Sequence, residues 1–77
     1  MPIKQIVVYH TSGCSPCAEV QQWLAGYGDI DCCFRDVVED ARWLTEYGTR
    51  IPVLVHGDRT LPWPFDRFAL RQWLKGL

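Results

Sequence analysis

Long apolar runs are missing from this sequence. None approaches the about 20 residues that a helix needs to cross a bilayer, so no membrane partner is expected. Positive charge is equally short: eight Lys and Arg stand against nine Asp and Glu, for a formal net charge of −1. That balance does not suit a phosphate backbone, which argues against nucleic acid as a partner. The opening residues, Met1-Pro2-Ile3-Lys4-Gln5, lack the charged leader, apolar core and small-residue cleavage site of a secretory signal. The expected compartment is therefore the cytoplasm, where lasting structural disulfides are rare. Linkers, internal repeats and low-complexity segments are missing too, so residues 1–77 are expected to form one domain, and a monomer. At this length the core is small, and most apolar residues must be structural.

What the chain does have is Cys14-Ser15-Pro16-Cys17, placed after an apolar run, Ile6-Val7-Val8-Tyr9, and a short turn, Thr11-Ser12-Gly13. Two thiols three residues apart at a helix start face the same way and lie within reach of a disulfide. In a reducing compartment such a pair is usually redox or metal chemistry. Cys14 is the expected nucleophile, because unpaired N–H groups and the positive end of the helix dipole favour its thiolate. Cys17, one turn further in, is expected to be less exposed. Pro16 fits the first helical turn, where its missing N–H costs nothing. The plain alternative is an inert cysteine pair packed in the core.

The first strand is expected over Ile3–Tyr9 and, being continuously apolar at Ile6-Val7-Val8, in the middle of a sheet. The first helix follows from about Cys14 to Ala25, with Cys17, Val20, Trp23, Leu24 and Tyr27 on one stripe and Gly26 and Gly28 as stops. A second strand, roughly Asp31 to Val37, carries charges that suit an edge. A short helix from about Asp40 to Tyr47 would bury Ala41, Leu44 and Tyr47, leaving Trp43 off the stripe. Val53-Leu54-Val55 reads as a central strand, His56-Gly57-Asp58-Arg59 as a turn and Thr60-Leu61 as the returning strand, stopped by Pro62 and Pro64. Asp66 is the expected cap of a last helix, Arg67 to Lys75, with Phe65 and Leu70 as a hydrophobic staple and Phe68, Leu70, Trp73, Leu74 and Leu77 buried. The order β-α-β-α-β-β-α gives an α/β fold: a four-stranded mixed sheet with three helices on both faces.

Cys32 and Cys33 raise a metal reading that their spacing disfavours. Adjacent strand residues point to opposite faces, so the two cannot easily complete one tetrahedron with Cys14 and Cys17. No metal is expected.

The Cys-x-x-Cys after the first strand, Ile51-Pro52 before the third and the terminal ββα unit together resemble the thioredoxin superfamily, and within it the glutaredoxins, over essentially all 77 residues. Val8 stands where thioredoxins carry a buried Asp, and the chain has no room for their extra strand and helix. The resemblance implies a cis-proline at Pro52 packed beside Cys14, with Ile51 offering backbone groups to a thiol-bearing substrate. It also implies thiol–disulfide exchange with no bound cofactor, and glutathione as electron donor. Glutathione or protein disulfides would then be the substrates.

Three departures stand out. Thr11 replaces a Lys that helps hold a glutathione carboxylate, Ser15-Pro16 replaces Pro-Tyr, and Leu61-Pro62-Trp63-Pro64-Phe65-Asp66 replaces a glutathione-binding Gly-Gly, leaving only Asp66 as the expected acidic cap. This Trp-Pro-Phe-Asp ending is similar to that of a short bacterial glutaredoxin-like branch. With the usual Lys gone, Arg50 is the candidate cation for the thiolate or a substrate carboxylate, ahead of His10 and Arg42. Trp63 is the aromatic expected at the substrate groove. Two other readings stay open: a small redoxin reduced by thioredoxin reductase, and a non-catalytic module that binds a protein through Trp63.

Overall fold

The computed structural model describes residues 3–77; Met1 and Pro2, part of the N-terminal leader reading and of the 1–77 domain, lie outside the described residues. The elements are β1 (Lys4–His10), α1 (Ser15–Ala25), β2 (Ile30–Asp36), a 3-10 turn (Val37–Glu39), α2 (Ala41–Tyr47), β3 (Val53–His56), β4 (Arg59–Pro62) and α3 (Arg67–Lys75). Four strands form one sheet in the order β2-β1-β3-β4, with β1 parallel to β2 and antiparallel to β3. This is the thioredoxin-like arrangement that the resemblance implied, where the order of elements by itself left several folds open.

The alternation of β1 builds the two layers. Ile6 and Val8 are fully buried against Val20 and Leu24 of α1, Leu54 of β3, and Leu70 and Leu74 of α3. Tyr9, Val37 and Val53 bury on the opposite face, where Trp43 and Tyr47 of α2 pack over them. Residues one apart along a strand thus anchor different helices. Each fully buried Leu or Val contributes about 1.5–3 kcal/mol relative to exposure.

Local chemistry sets the ends of the elements. Asp66 caps α3, accepting from the Ala69 N–H at 2.8 Å. Asp40 does the same for α2, from the Arg42 N–H at 2.8 Å. The β3–β4 hairpin turns through Gly57-Asp58, with Gly57 at φ 62°, a conformation that glycine takes without a Cβ clash.

Strand ends shift by a residue or so: β1 runs to His10, His56 closes β3, and Arg59 and Pro62 belong to β4. Four further details differ from expectation. Helix α1 starts at Ser15, with Cys14 as its cap. Strand β2 ends at Asp36, whose carboxylate accepts from the Val38 N–H and starts the 3-10 turn. Phe68 is 69% exposed, because Leu70, Trp73, Leu74 and Leu77 already fill the inner face of α3. Leu44 is 49% exposed and Ala41 faces solvent, while Trp43 and Tyr47 form the inner face of α2. On a helix of two turns the large rings, at i and i+4, take the buried side.

Candidate active site

Strand β1 ends at His10, and the chain reverses through Gly13, at φ 79°, to deliver Cys14 to the start of α1. Cys14 keeps extended backbone angles, and its Sγ accepts from the Cys17 N–H at 3.3 Å. The sulfur thus does what a capping oxygen usually does, in line with the helix dipole. Cys14 and Cys17 are joined in a disulfide, their Cα atoms 5.2 Å apart. Their exposures differ. Cys14 is half-buried, whereas Cys17 is 3% exposed and belongs to the buried side of α1.

Pairing places the other expected residues. Val53 lies opposite Tyr9, so Pro52, just before Val53, sits at the end of the sheet from which β1 sends out the Cys14 loop. Pro52 is fully buried, and the Ile51–Pro52 peptide is cis. Ile51 is half-buried against the Tyr9 layer. Pro62 pairs with Val53, which brings Trp63 to the same end. The Trp63 N–H is shared by the carbonyls of Pro52 and Arg50. The Trp63 ring packs at 5.2 Å from Phe65 and 6.3 Å from Trp23, centroid to centroid, and the Trp63–Pro64 peptide is also cis. Cys14, Cys17, Ile51, Pro52 and Trp63 therefore gather at one end of the sheet.

The expected cations are engaged elsewhere. The Arg50 guanidinium donates to the Glu46 carbonyl at 2.9 Å, satisfying one of the free carbonyls at the end of α2. Arg42 pairs with Asp40 at 3.2 Å across the start of α2, and this contact holds the Asp40 carboxyl below its ordinary range. His10 sits edge-on to Phe34. Asp66 spends its carboxylate on the α3 cap.

Sequence reasoning gives Tyr9, Arg35, Trp43 and Tyr47 no site role and expects only Tyr47 on the buried stripe of its helix, yet the four form a second polar–aromatic cluster. Tyr9 stacks on Tyr47 with centroids 4.2 Å apart, Arg35 donates to the Tyr9 hydroxyl at 3.3 Å, and its guanidinium lies 5.3 Å from the Trp43 ring centre. Burial pushes the Tyr47 hydroxyl up. The available signal was strand alternation, which turns Tyr9 away from Val8 and toward whatever covers the other face.

The remaining cysteines are remote from this end. Cys32 pairs with Ile6, four residues before His10, a distance of about 13 Å along the strand. Cys32 packs toward α1, while Cys33, one residue on, is exposed on the opposite face. Burial, and then the charge of Asp31, push the Cys32 thiol up.

Residues 5–75 match the family described as Glutaredoxin-like domain (DUF836). The chain belongs to this glutaredoxin-like family. Among solved structures it is similar to target protein XcR50 from X. campestris. The crystal structure of that protein is 33% identical, with a TM-score of 0.77 over 94% of this chain and 97% of that one. Its solution structure, also 33% identical, gives a TM-score of 0.73 over 94% of each chain. No curated protein matches. In this glutaredoxin-like chain the bonded pair at the start of α1 fits a redox protein of the thioredoxin fold: one sulfur reaches solvent and the other is sealed in the core.

Proposed function

We propose that the protein is a cytoplasmic dithiol oxidoreductase that exchanges its Cys14–Cys17 disulfide with those of small thiols or proteins. The Cys14 thiolate attacks one sulfur of a substrate disulfide, forming a mixed disulfide and releasing the other sulfur as a thiolate. Cys17, deprotonated, then attacks the Cys14 sulfur. The substrate leaves with two thiols, and the enzyme keeps the two lost electrons' worth of oxidation as Cys14–Cys17. One glutathione opens that bond by joining Cys14; a second releases glutathione disulfide and restores both thiols.

The observation that carries the reading is the contrast within the pair. Cys14 caps α1 with its sulfur 3.3 Å from the Cys17 N–H, where a thiolate is favoured, while Cys17 is buried and can reach only Cys14. Ile51 and Pro52 would form the floor against which a substrate lies, with Trp63 at its side. Arg50 would have to leave the Glu46 carbonyl to meet a substrate carboxylate, and Asp66 would act through the position it gives to the start of α3.

The test is mass spectrometry of the oxidised protein equilibrated over a series of reduced to oxidised glutathione ratios. Opening through glutathionylated Cys14 supports the proposal. A pair that resists glutathione and yields to thioredoxin reductase moves the protein to the second reading, a redoxin fed by that enzyme. A pair that yields to neither removes the redox function and leaves the binding module.

A further inference from the structure

Among the described residues, strand β2 lies at an edge of the sheet with β1 as its one neighbour. Edges are usually blunted by proline, lysine, bulges or shortness. The opposite edge, β4, has two of these devices, being four residues long and ending in Pro62. Strand β2 has none of these four, its protection being limited to the charges of Asp31, Arg35 and Asp36. It runs for seven residues, Ile30–Asp36, without Lys or Pro, and pairs with β1 one to one, so no bulge interrupts it. Its outer row of backbone groups faces no strand among the described residues. Beside it, Leu24, Ala25, Tyr27, Ile30, Cys32 and Phe34 line an apolar groove of about 380 Å³, and Phe34 at its rim is 43% exposed.

We propose that β2 pairs antiparallel with β2 of a second copy, across a two-fold axis at Cys33, so that two sheets join into one. The symmetry leaves few registers. With the axis perpendicular to the sheet, opposed residues must point to the same side, and Cys33 is the middle of Ile30–Asp36, so centring there is the register that pairs the whole strand.

That register is self-complementary in charge. Asp31 falls opposite Arg35 of the second copy, and Arg35 opposite Asp31, on the side of the sheet that also carries Cys33. On the other side Phe34 falls opposite Cys32 of the second copy, at the rim of the second copy's groove. Centring two residues earlier would oppose Asp31 to itself. The complementarity names a second copy as the occupant and replaces the expected monomer by a reversible dimer. Both Cys14 ends remain free, since the axis lies three strand positions before Asp36, where β2 meets the His10 end of β1.

The test is sedimentation of the reduced full chain over a concentration series, combined with a short bis-maleimide cross-linker whose sites are mapped by mass spectrometry. A concentration-dependent dimer cross-linked between two Cys33 residues is expected. Asp31→Arg should raise the dimer Kd by about tenfold, since it turns both cross-strand attractions into repulsions. Asp31→Arg combined with Arg35→Asp should restore association. Cys33→Lys, which sets two like charges on the axis, should weaken it independently, and exchange activity should not change in Asp31→Arg. A monomer at every concentration overturns the proposal. So does a dimer that Asp31→Arg leaves intact, or one whose cross-link avoids Cys33.

Discussion

The N–H of Trp63 lies 3.0 Å from the carbonyl oxygen of Pro52. A backbone bond thus ties the end of the β3–β4 hairpin to the cis-proline that precedes β3, whatever side chain occupies position 63. The ring has a separate task, packing on Phe65 and Trp23. Trp63→Ala keeps the amide and removes the ring. Chemical denaturation should show a loss of about 2 kcal/mol, below the range for a fully buried Trp. Kinetics with a disulfide peptide should show a several-fold higher KM and little change in kcat. An unchanged KM would limit Trp63 to packing.

Cys14→Ser should abolish exchange, because Cys17 is sealed beneath α1. Cys17→Ser should still react once, and mass spectrometry should find it held as a mixed disulfide on Cys14. A Cys14→Ser variant that turns over substrate would refute the assignment of the nucleophile.

The reduced Cys14 thiol should titrate below the free-thiol value of about 8.5, since its sulfur faces the first turn of α1. Alkylation rates followed across pH, with Cys32 and Cys33 replaced by Ser, read this directly. An inflection at the ordinary thiol value would mean that the helix start does not activate it.

Cys32 should make the fold sensitive to alkali. Its thiol is pushed up in the folded state by burial and then by Asp31. The stability linked to the neutral thiol is therefore complete below the ordinary thiol range and is lost as pH rises through the raised value. Denaturation midpoints of wild type and Cys32→Ala should converge on going from neutral to alkaline pH. Parallel profiles would show that Cys32 titrates as it does when unfolded.

Helix α2 should depend on its rings. Trp43→Ala should cost about 2 kcal/mol, whereas Leu44→Ala, on the solvent side, should stay within about 0.5 kcal/mol. Thermal melts of the two variants separate the observed face from the one that spacing suggests.

The elements most legible in the sequence were those with chemical punctuation. Asp66 marks the start of α3 and the Gly57 turn marks the hairpin, because a cap and a positive φ each demand particular residues. The buried faces of short helices were less legible. Across the seven residues of α2, an apolar stripe can be drawn through Leu44 or through Trp43, and only the shape of the sheet surface decides. The redox pair was legible because strand, turn and helix converge on it. The partners of Arg50 were not: the same side chain serves a helix end or a ligand, and the carbonyl of Glu46 stands within reach whether or not a substrate is present.

Helix α2 contributes no buried residue, whereas β1 is paired on both sides and contributes three, Ile6, Val8 and Tyr9. In hydrogen exchange these should behave as different cooperative units, with the amides of α2 opening early and those of β1 surviving until global unfolding. Cys14, the nucleophile we propose, follows the slow unit by four residues. Breathing of the α2 layer can therefore loosen one face of the domain while the loop that carries Cys14 beyond β1 keeps its anchor.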